Sequence, residues 1–205
     1  MNQTMPSSTR ASLMQTAESL LCTRGYAGFS YADLAEAVGI RKASIHHHFP
    51  AKEDLGVAVV EAYVERVARG LEGIEHECPT VDDRLAAFSQ WFTQSMGRRQ
   101  LPLCGALAAE MTVLPERLQT LTRQFFRLQL QWLQKVLDEG KAAGQLPQDA
   151  DTAARARQVL GLLEGVSFID WALNENPPSL ASDVLYRIAG VVRSQAAAQR
   201  KHDVS

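Results

Sequence analysis

A chain of 205 residues with a formal net charge of −2 is long enough for one or two domains with a sizeable core, and it lacks the overall basic field that holds nucleic acid indiscriminately. Three widely spaced cysteines, Cys22, Cys78 and Cys104, suit reduced thiols of a cytoplasmic protein better than a disulfide frame. Neither a signal peptide nor a membrane span is expected, because MNQTMPSSTR is polar and no run of about 18 residues is continuously apolar.

Residues 1–8 read as a tail. From about Ser8 to Arg24 the apolar set Leu13, Met14, Ala17, Leu20 and Leu21 recurs at helical spacing, and Gly25 ends the helix. The next stretch, Ser30 to Lys52, organises the rest. Ser30 with Asp33 is a capping-box pattern, and Phe29 with Leu34 is spaced as a hydrophobic staple. Leu34, Ala35 and Val38 give a short apolar face before Gly39, which can take the left-handed conformation that stops a helix. A second helix begins near Arg41 or Lys42; Ile45 and Phe49 bury its inner face, and Lys42, Ser44, His46 and His47 look outward. Two helices joined by a tight Gly turn form a helix-turn-helix, whose second helix lies in the DNA major groove.

Charge placement supports that reading. Residues 1–55 hold five basic and five acidic side chains, yet Gly39 to Lys52 contains Arg41, Lys42, Lys52, three histidines and no acid. A local basic edge on a neutral domain suits a specific binder better than a general one. The run His46-His47-His48 is no metal site, because consecutive helical residues point about 100° apart and cannot converge on one ion. His48 is expected to pack inward.

Beyond Lys52 the pattern stays helical. Ala51 to about Gly70 carries Leu55, Val59, Ala62, Tyr63 and Val67; Thr80 with Asp83 repeats the cap ahead of Leu85, Phe88, Trp91 and Phe92. A break at Gly97 to Pro102 leads to an alanine-rich helix, Leu103 to Leu114. Pro115 opens the longest helix, to about Ala143, with one stripe of Leu118, Leu121, Phe125, Leu128 and Trp132 and another of Phe126, Leu130, Leu133 and Leu137. Asp149 to Asn174 follows. Pro177 and Pro178 break the chain, and Leu180 to Gln195 closes it. With no strand pattern, the expected fold is all-α: a three-helix DNA-binding domain over residues 1–54 and a helical bundle for ligand binding and dimerisation over 55–205.

The ordered segments S-x-x-D-L-A-x-A-V-G-I and R-K-A-S-I-H-H-H-F-P-A-K-E-D-L, covering roughly Arg10 to Leu55 with the preceding helix, resemble the amino-terminal domain of tetracycline-repressor (TetR) family regulators. That resemblance implies DNA contacts from Lys42, Ala43, Ser44, His46 and His47 and a phosphate contact from Lys52; Arg41, on the same basic edge of the helix-turn-helix, is a further DNA-contact candidate. This sequence departs from the family pattern at three positions: Arg41 where Ser or Thr usually caps, Ala43 where Gly is usual, and His46 where Tyr is usual.

The resemblance further implies a palindromic double-stranded operator, a homodimer and a small-molecule effector, with no cofactor, no metal and no enzyme activity. Phe88, Trp91, Cys104, Met111, Phe125, Trp132, Phe168 and Trp171 are the candidate effector pocket, against the plainer reading that aromatics at helical spacing are core. Glu110 or Asp170 is a candidate to orient a polar ligand group. Cys104, in L-P-L-C-G-A-L, looks like the reactive cysteine of some branches that answer to electrophiles or oxidants, with Arg98 and Arg99 nearby; the rival is a small buried hydrophobe. Gly161 and Gly165, four apart, with Leu185, Ile188 and Val192, suggest a four-helix dimer interface. The alternatives are an effector-independent architectural DNA binder and a small helical enzyme, the latter without any nucleophile motif, metal spacing or phosphate loop.

Overall fold

In the computed structural model, residues 9–95, 100–174 and 182–191 are described, and among them every regular element is an α-helix. They run α1 (Thr9–Arg24), α2 (Tyr31–Val38), α3 (Lys42–His48), α4 (Lys52–Glu77), α5 (Val81–Ser95), α6 (Leu103–Ala109), α7 (Glu116–Ala142), α8 (Thr152–Leu173) and α9 (Ser182–Ala189). The expected tail over 1–8, Arg98 and Arg99, the Pro177–Pro178 break and everything expected beyond Val191 lie outside the described residues. No described helix is long and apolar enough to cross a membrane.

The chain packs as two compact units. Residues 9–67 and 100–126 form the first, and 68–95, 127–174 and 182–191 the second. This grouping does not follow the expected boundary at 54/55, because the start of α4, all of α6 and the first part of α7 pack with the amino-terminal helices.

In the first unit α1 packs on α2 and α6, and α2 on α3. Leu13, Ala17 and Leu21 of α1, Leu34 of α2 and Ile45 of α3 are all fully covered, so the three helices share one apolar centre. The ends of α2 follow from chemistry visible in the sequence. Ser30 accepts from the N–H groups of Ala32 and Asp33, and Asp33 accepts from Ser30 N at 2.7 Å, completing the capping box. The Ser30 hydroxyl also donates to the Asp33 carboxylate at 2.5 Å, and that bond, with the one from Ser30 N, holds the carboxyl below its usual range. Gly39 closes the helix at φ 76°, its N–H bonding Ala35 O and Glu36 O.

In the second unit α9 packs against α5 and α8. Asp151 caps α8 by accepting from Ala154 N at 2.9 Å, and Thr152 donates to Asp138 at 2.6 Å. Leu85 and Phe88 of α5, Leu133, Val136 and Leu137 of α7, Val159 and Leu163 of α8 and Leu185 of α9 supply fully buried apolar side chains.

Two expectations need correction. The helix after Lys52 does not stop at Gly70 but continues to Glu77. Gly70 keeps helical geometry, and its missing Cβ admits the Trp91 indole, which a methyl there would meet at 3.0 Å. On α7 the buried stripe is Leu118, Thr122, Phe125, Gln129, Trp132, Leu133, Val136 and Leu137, whereas Leu121, Phe126, Leu128 and Leu130 are only half-covered. Two polar residues hidden in the stripe shifted its apparent centre.

Candidate functional site

The recognition face is built on α3. Ile45 and Phe49 are buried, which fixes the rotation of the helix and turns Arg41, Lys42, Ala43, Ser44, His46 and His47 to the exposed side. The carbonyl of Phe49 accepts from the Tyr31 hydroxyl at 2.9 Å, tying the end of α3 to α2. Arg41 sits at the N-cap of α3 without a side-chain cap bond, so its guanidinium adds charge where a hydroxyl would have closed the helix. Ser44 N donates to Arg41 O at 2.9 Å, and Ser44 is exposed.

His46 is held by two contacts. Its ring meets Tyr31 edge-on at 4.9 Å, and its Nδ1 lies 3.1 Å from Pro50 O. A carbonyl oxygen only accepts, so Nδ1 carries the hydrogen; in the neutral ring Nε2 is then an outward-facing acceptor. His48 is half-buried, and no group of three or more His, Cys, Asp or Glu able to hold a metal occurs among the described residues.

Lys52 departs from expectation. Its ammonium donates to Tyr26 O and Phe29 O and lies over both rings, 4.6 Å from the Tyr26 centroid and 4.2 Å from that of Phe29. Burial lowers its pKa, opposed by the carboxylates of Glu110 and Asp33. A side chain satisfied this way braces the α1–α2 turn and is withdrawn from phosphate.

Glu110 departs in the same way. It does not face a ligand: its Oε2 accepts from Tyr26 N at 2.5 Å and Ala27 N at 3.3 Å. Gly25, at φ 75°, makes room, because a Cβ there would stand 2.5 Å from Glu110 Oε1. The turn thus gives its carbonyls to a cation from α4 and its amides to an anion at the end of α6.

The candidate pocket residues divide. Cys104, Met111 and Phe125 belong to the first unit. Cys104 is 0% exposed, and Phe125 packs on Tyr63 and Phe126, each at 5.4 Å. In the second unit Phe88, Trp91 and Trp132 come together, with ring centroids 6.4 Å apart for Phe88–Trp91 and 5.2 Å for Phe88–Trp132. Phe168 is half-buried and Trp171 is 44% exposed.

Of the dimer candidates, Gly161 and Gly165 are exposed, and a Cβ at either would meet nothing within 4 Å. Leu185 is fully buried inside its own chain between α5 and α8, so it serves the core and not an interface. Ile188 is half-buried, and Val192 lies outside the described residues.

This architecture matches known proteins at both ends. Residues 13–59 match the model of bacterial regulatory proteins, tetR family, and residues 82–178 that of the tetracyclin repressor-like C-terminal domain. The chain belongs to the TetR family. Among its relatives, the nucleoid occlusion factor SlmA of Marinobacter nauticus is 30% identical over 160 residues, covering 77% of this chain and 81% of that protein. The HTH-type transcriptional repressor NemR of Escherichia coli is 33% identical over 94 residues, 44% of this chain and 46% of the relative, so the alignment spans about half of that protein. A TetR-family transcriptional regulator from Agrobacterium tumefaciens superposes with a TM-score of 0.78 at 29% identity, covering 96% of this chain and 98% of that one. TetR-family proteins are DNA-binding transcription regulators and not enzymes, which sets aside the reading as a small helical enzyme.

Two polar residues, Gln129 and Glu164, were not legible among their apolar neighbours, and the tie from Glu110 to the α1–α2 turn was not either. Gln129 is buried on α7 with both amide atoms unpartnered; Glu164 is half-buried on α8, yet both its carboxylate oxygens are covered and unpartnered. Burial raises the Glu164 pKa to about 7. Each unsatisfied buried polar group costs about 1–3 kcal/mol, so such residues are expected where something other than stability is served.

Proposed function

We propose that this protein is a cytoplasmic homodimeric repressor that binds a palindromic operator through α3 and is released by a small-molecule effector. Residues 1–54 supply the DNA-binding part and 55–205 the effector-binding and dimerising part. The observation that carries the reading is the outward face of α3: Arg41, Lys42, Ala43, Ser44, His46 and His47 are exposed together, without an acid from Gly39 to Lys52. Arg and Lys pair with guanine or phosphate, Ser reaches either, and Ala meets a thymine methyl. The repressor sense is supported by the similarity to NemR, which is named a transcriptional repressor.

A single helix-turn-helix reads only a half-site, so two copies with recognition helices about 34–36 Å apart are needed for successive major grooves. The side of α8 carrying Gly161, Gly165, Ile169 and Leu173 supports a second copy as occupant. Ile169 and Leu173 are 58% and 60% exposed, and the two glycines leave room for a helix to approach closely. An effector favouring the wrong spacing of the two recognition helices would release DNA by its differential affinity for two dimer geometries. Since Cys104 is fully buried, a reversible small ligand fits better than an electrophile arriving from solvent.

Selection of bound DNA from a random pool tests the proposal. A palindrome with half-sites about one helical turn apart is expected. Binding without sequence preference would replace it with the architectural reading. Lys42→Ala should weaken binding to the selected site by about 1–3 kcal/mol.

A further inference from the structure

The buried stripe of α7 holds a residue for which an apolar core has no use. Gln129 is 1% exposed in the middle of that stripe, and neither its amide oxygen nor its amide nitrogen has a hydrogen-bond partner among the described residues. Interchanging the two amide atoms changes nothing, because both are unsatisfied. Three residues on, Trp132 is buried with its indole N–H also unpartnered. A spacing of three places both side chains on one face of the helix.

An aromatic wall adjoins them within the second unit. The Trp132 ring lies 5.2 Å from Phe88, whose ring is 6.4 Å from Trp91. Gly70 on α4 lets the Trp91 indole close against the helix backbone. The second unit thus holds three neighbouring aromatic rings and two buried, unpartnered polar groups: donors from the Gln129 amide and the Trp132 indole, and one acceptor from the Gln129 amide. A leucine or methionine at 129 would have avoided the desolvation cost entirely.

We propose that Gln129 and Trp132 form the polar end of an effector site in the second unit, whose ligand is an uncharged, flat, mostly apolar molecule bearing a carboxamide-like head. This deepens the effector-released reading and rests on it. A ligand carbonyl would accept from the indole and the Gln129 amide N–H, while a ligand N–H donates to the Gln129 oxygen. An anionic head would leave the Gln129 oxygen against a like charge, and a cationic head would leave both donors unsatisfied.

The test uses the full chain with nitrogen-15 in its tryptophan indoles, compared with Gln129→Met and Trp132→Phe, and with benzamide, benzoate and ethylbenzene as probes. In the wild type, benzamide should shift the indole N–H resonance that Trp132→Phe lacks and bind at least about tenfold tighter than the other two. Both substitutions should shrink that preference to within about threefold. Without any probe, Gln129→Met should melt about 2–4 °C above the wild type, since an apolar side chain of similar volume replaces unpaired polar atoms.

Equal binding of the three probes, or a preference that survives Gln129→Met, overturns the proposal. So does an indole resonance left unmoved because benzamide cannot displace a bound water, or a variant that melts lower because the amide has a structural partner. No DNA enters this experiment. A chain that fails to bind an operator can therefore still pass, and one that represses normally can fail here alone.

Discussion

Two opposite charges grip the turn between α1 and α2, and neither points at solvent. Lys52 takes the carbonyls of Tyr26 and Phe29, and Glu110 takes the amides of Tyr26 and Ala27. Glu110→Ala should therefore expose two backbone donors, cost about 1–3 kcal/mol and speed amide exchange across residues 25–29 before it affects α7. Unchanged exchange in that turn would remove Glu110 from its support. Glu164 makes a different prediction. Its folded pKa is raised from 4.5 to about 7, so the folded chain holds a proton that the unfolded chain releases between those values. The favourable contribution is complete below about pH 4.5 and is lost as pH rises through about 7. Glu164→Gln should accordingly melt above the wild type at pH 8, by an amount on the order of 1–3 kcal/mol, with the gap closing toward pH 5. A pH-independent gap would mean that the carboxyl has a partner.

At the scale of elements, the ends of α2 were legible because their causes are local. Ser30, Asp33 and Gly39 state the cap and the stop in sequence, and the structure realises both. Gly39 has φ 76° with nothing near its absent Cβ, so Gly39→Ala should cost about 1 kcal/mol from backbone strain alone. A thermal melt unaffected by that change would show that the α2–α3 turn can adopt another form. Where the cause is tertiary, reading failed. Gly70 looks like a terminator but is a seat for Trp91, a residue 21 positions away in the chain. Gln129 looks like a surface residue between Leu128 and Leu130, yet the rotation of α7 is set by what packs on it. Lys52 and Glu110 were assigned to DNA and ligand because sequence gives a charge and a position, but not the direction in which a long side chain turns.

For the whole molecule, the family and the all-helical architecture were legible, since a long ordered motif and a 3.6-residue period survive without knowledge of contacts. Which aromatics would line an effector site was not, because a pocket and a core use the same side chains. The dimer proposal has a clean test. A Cβ at Gly161 or Gly165 on the open side of α8 meets nothing within 4 Å, so with Gly161→Leu and Gly165→Leu together the fold should persist while light scattering reports monomers. Operator affinity should then fall together with self-association. A folded dimer with both changes would move the interface elsewhere.

With Lys52 turned inward, the fixed cations on the outward face of α3 are Arg41 and Lys42. The proposed dimer would then neutralise about four phosphates through that face, each releasing about 0.9 of a condensed counterion. Operator affinity plotted against salt on logarithmic axes should carry a slope of about −4 from this face, against about −5 if Lys52 swung out to join it. Lys42→Ala should flatten the line by about 2 units per dimer. With that slope a fourfold rise in salt costs about two powers of ten in affinity, less than for a protein with more phosphate contacts, and such a regulator would search for its site with correspondingly weak long-range attraction to the rest of the chromosome.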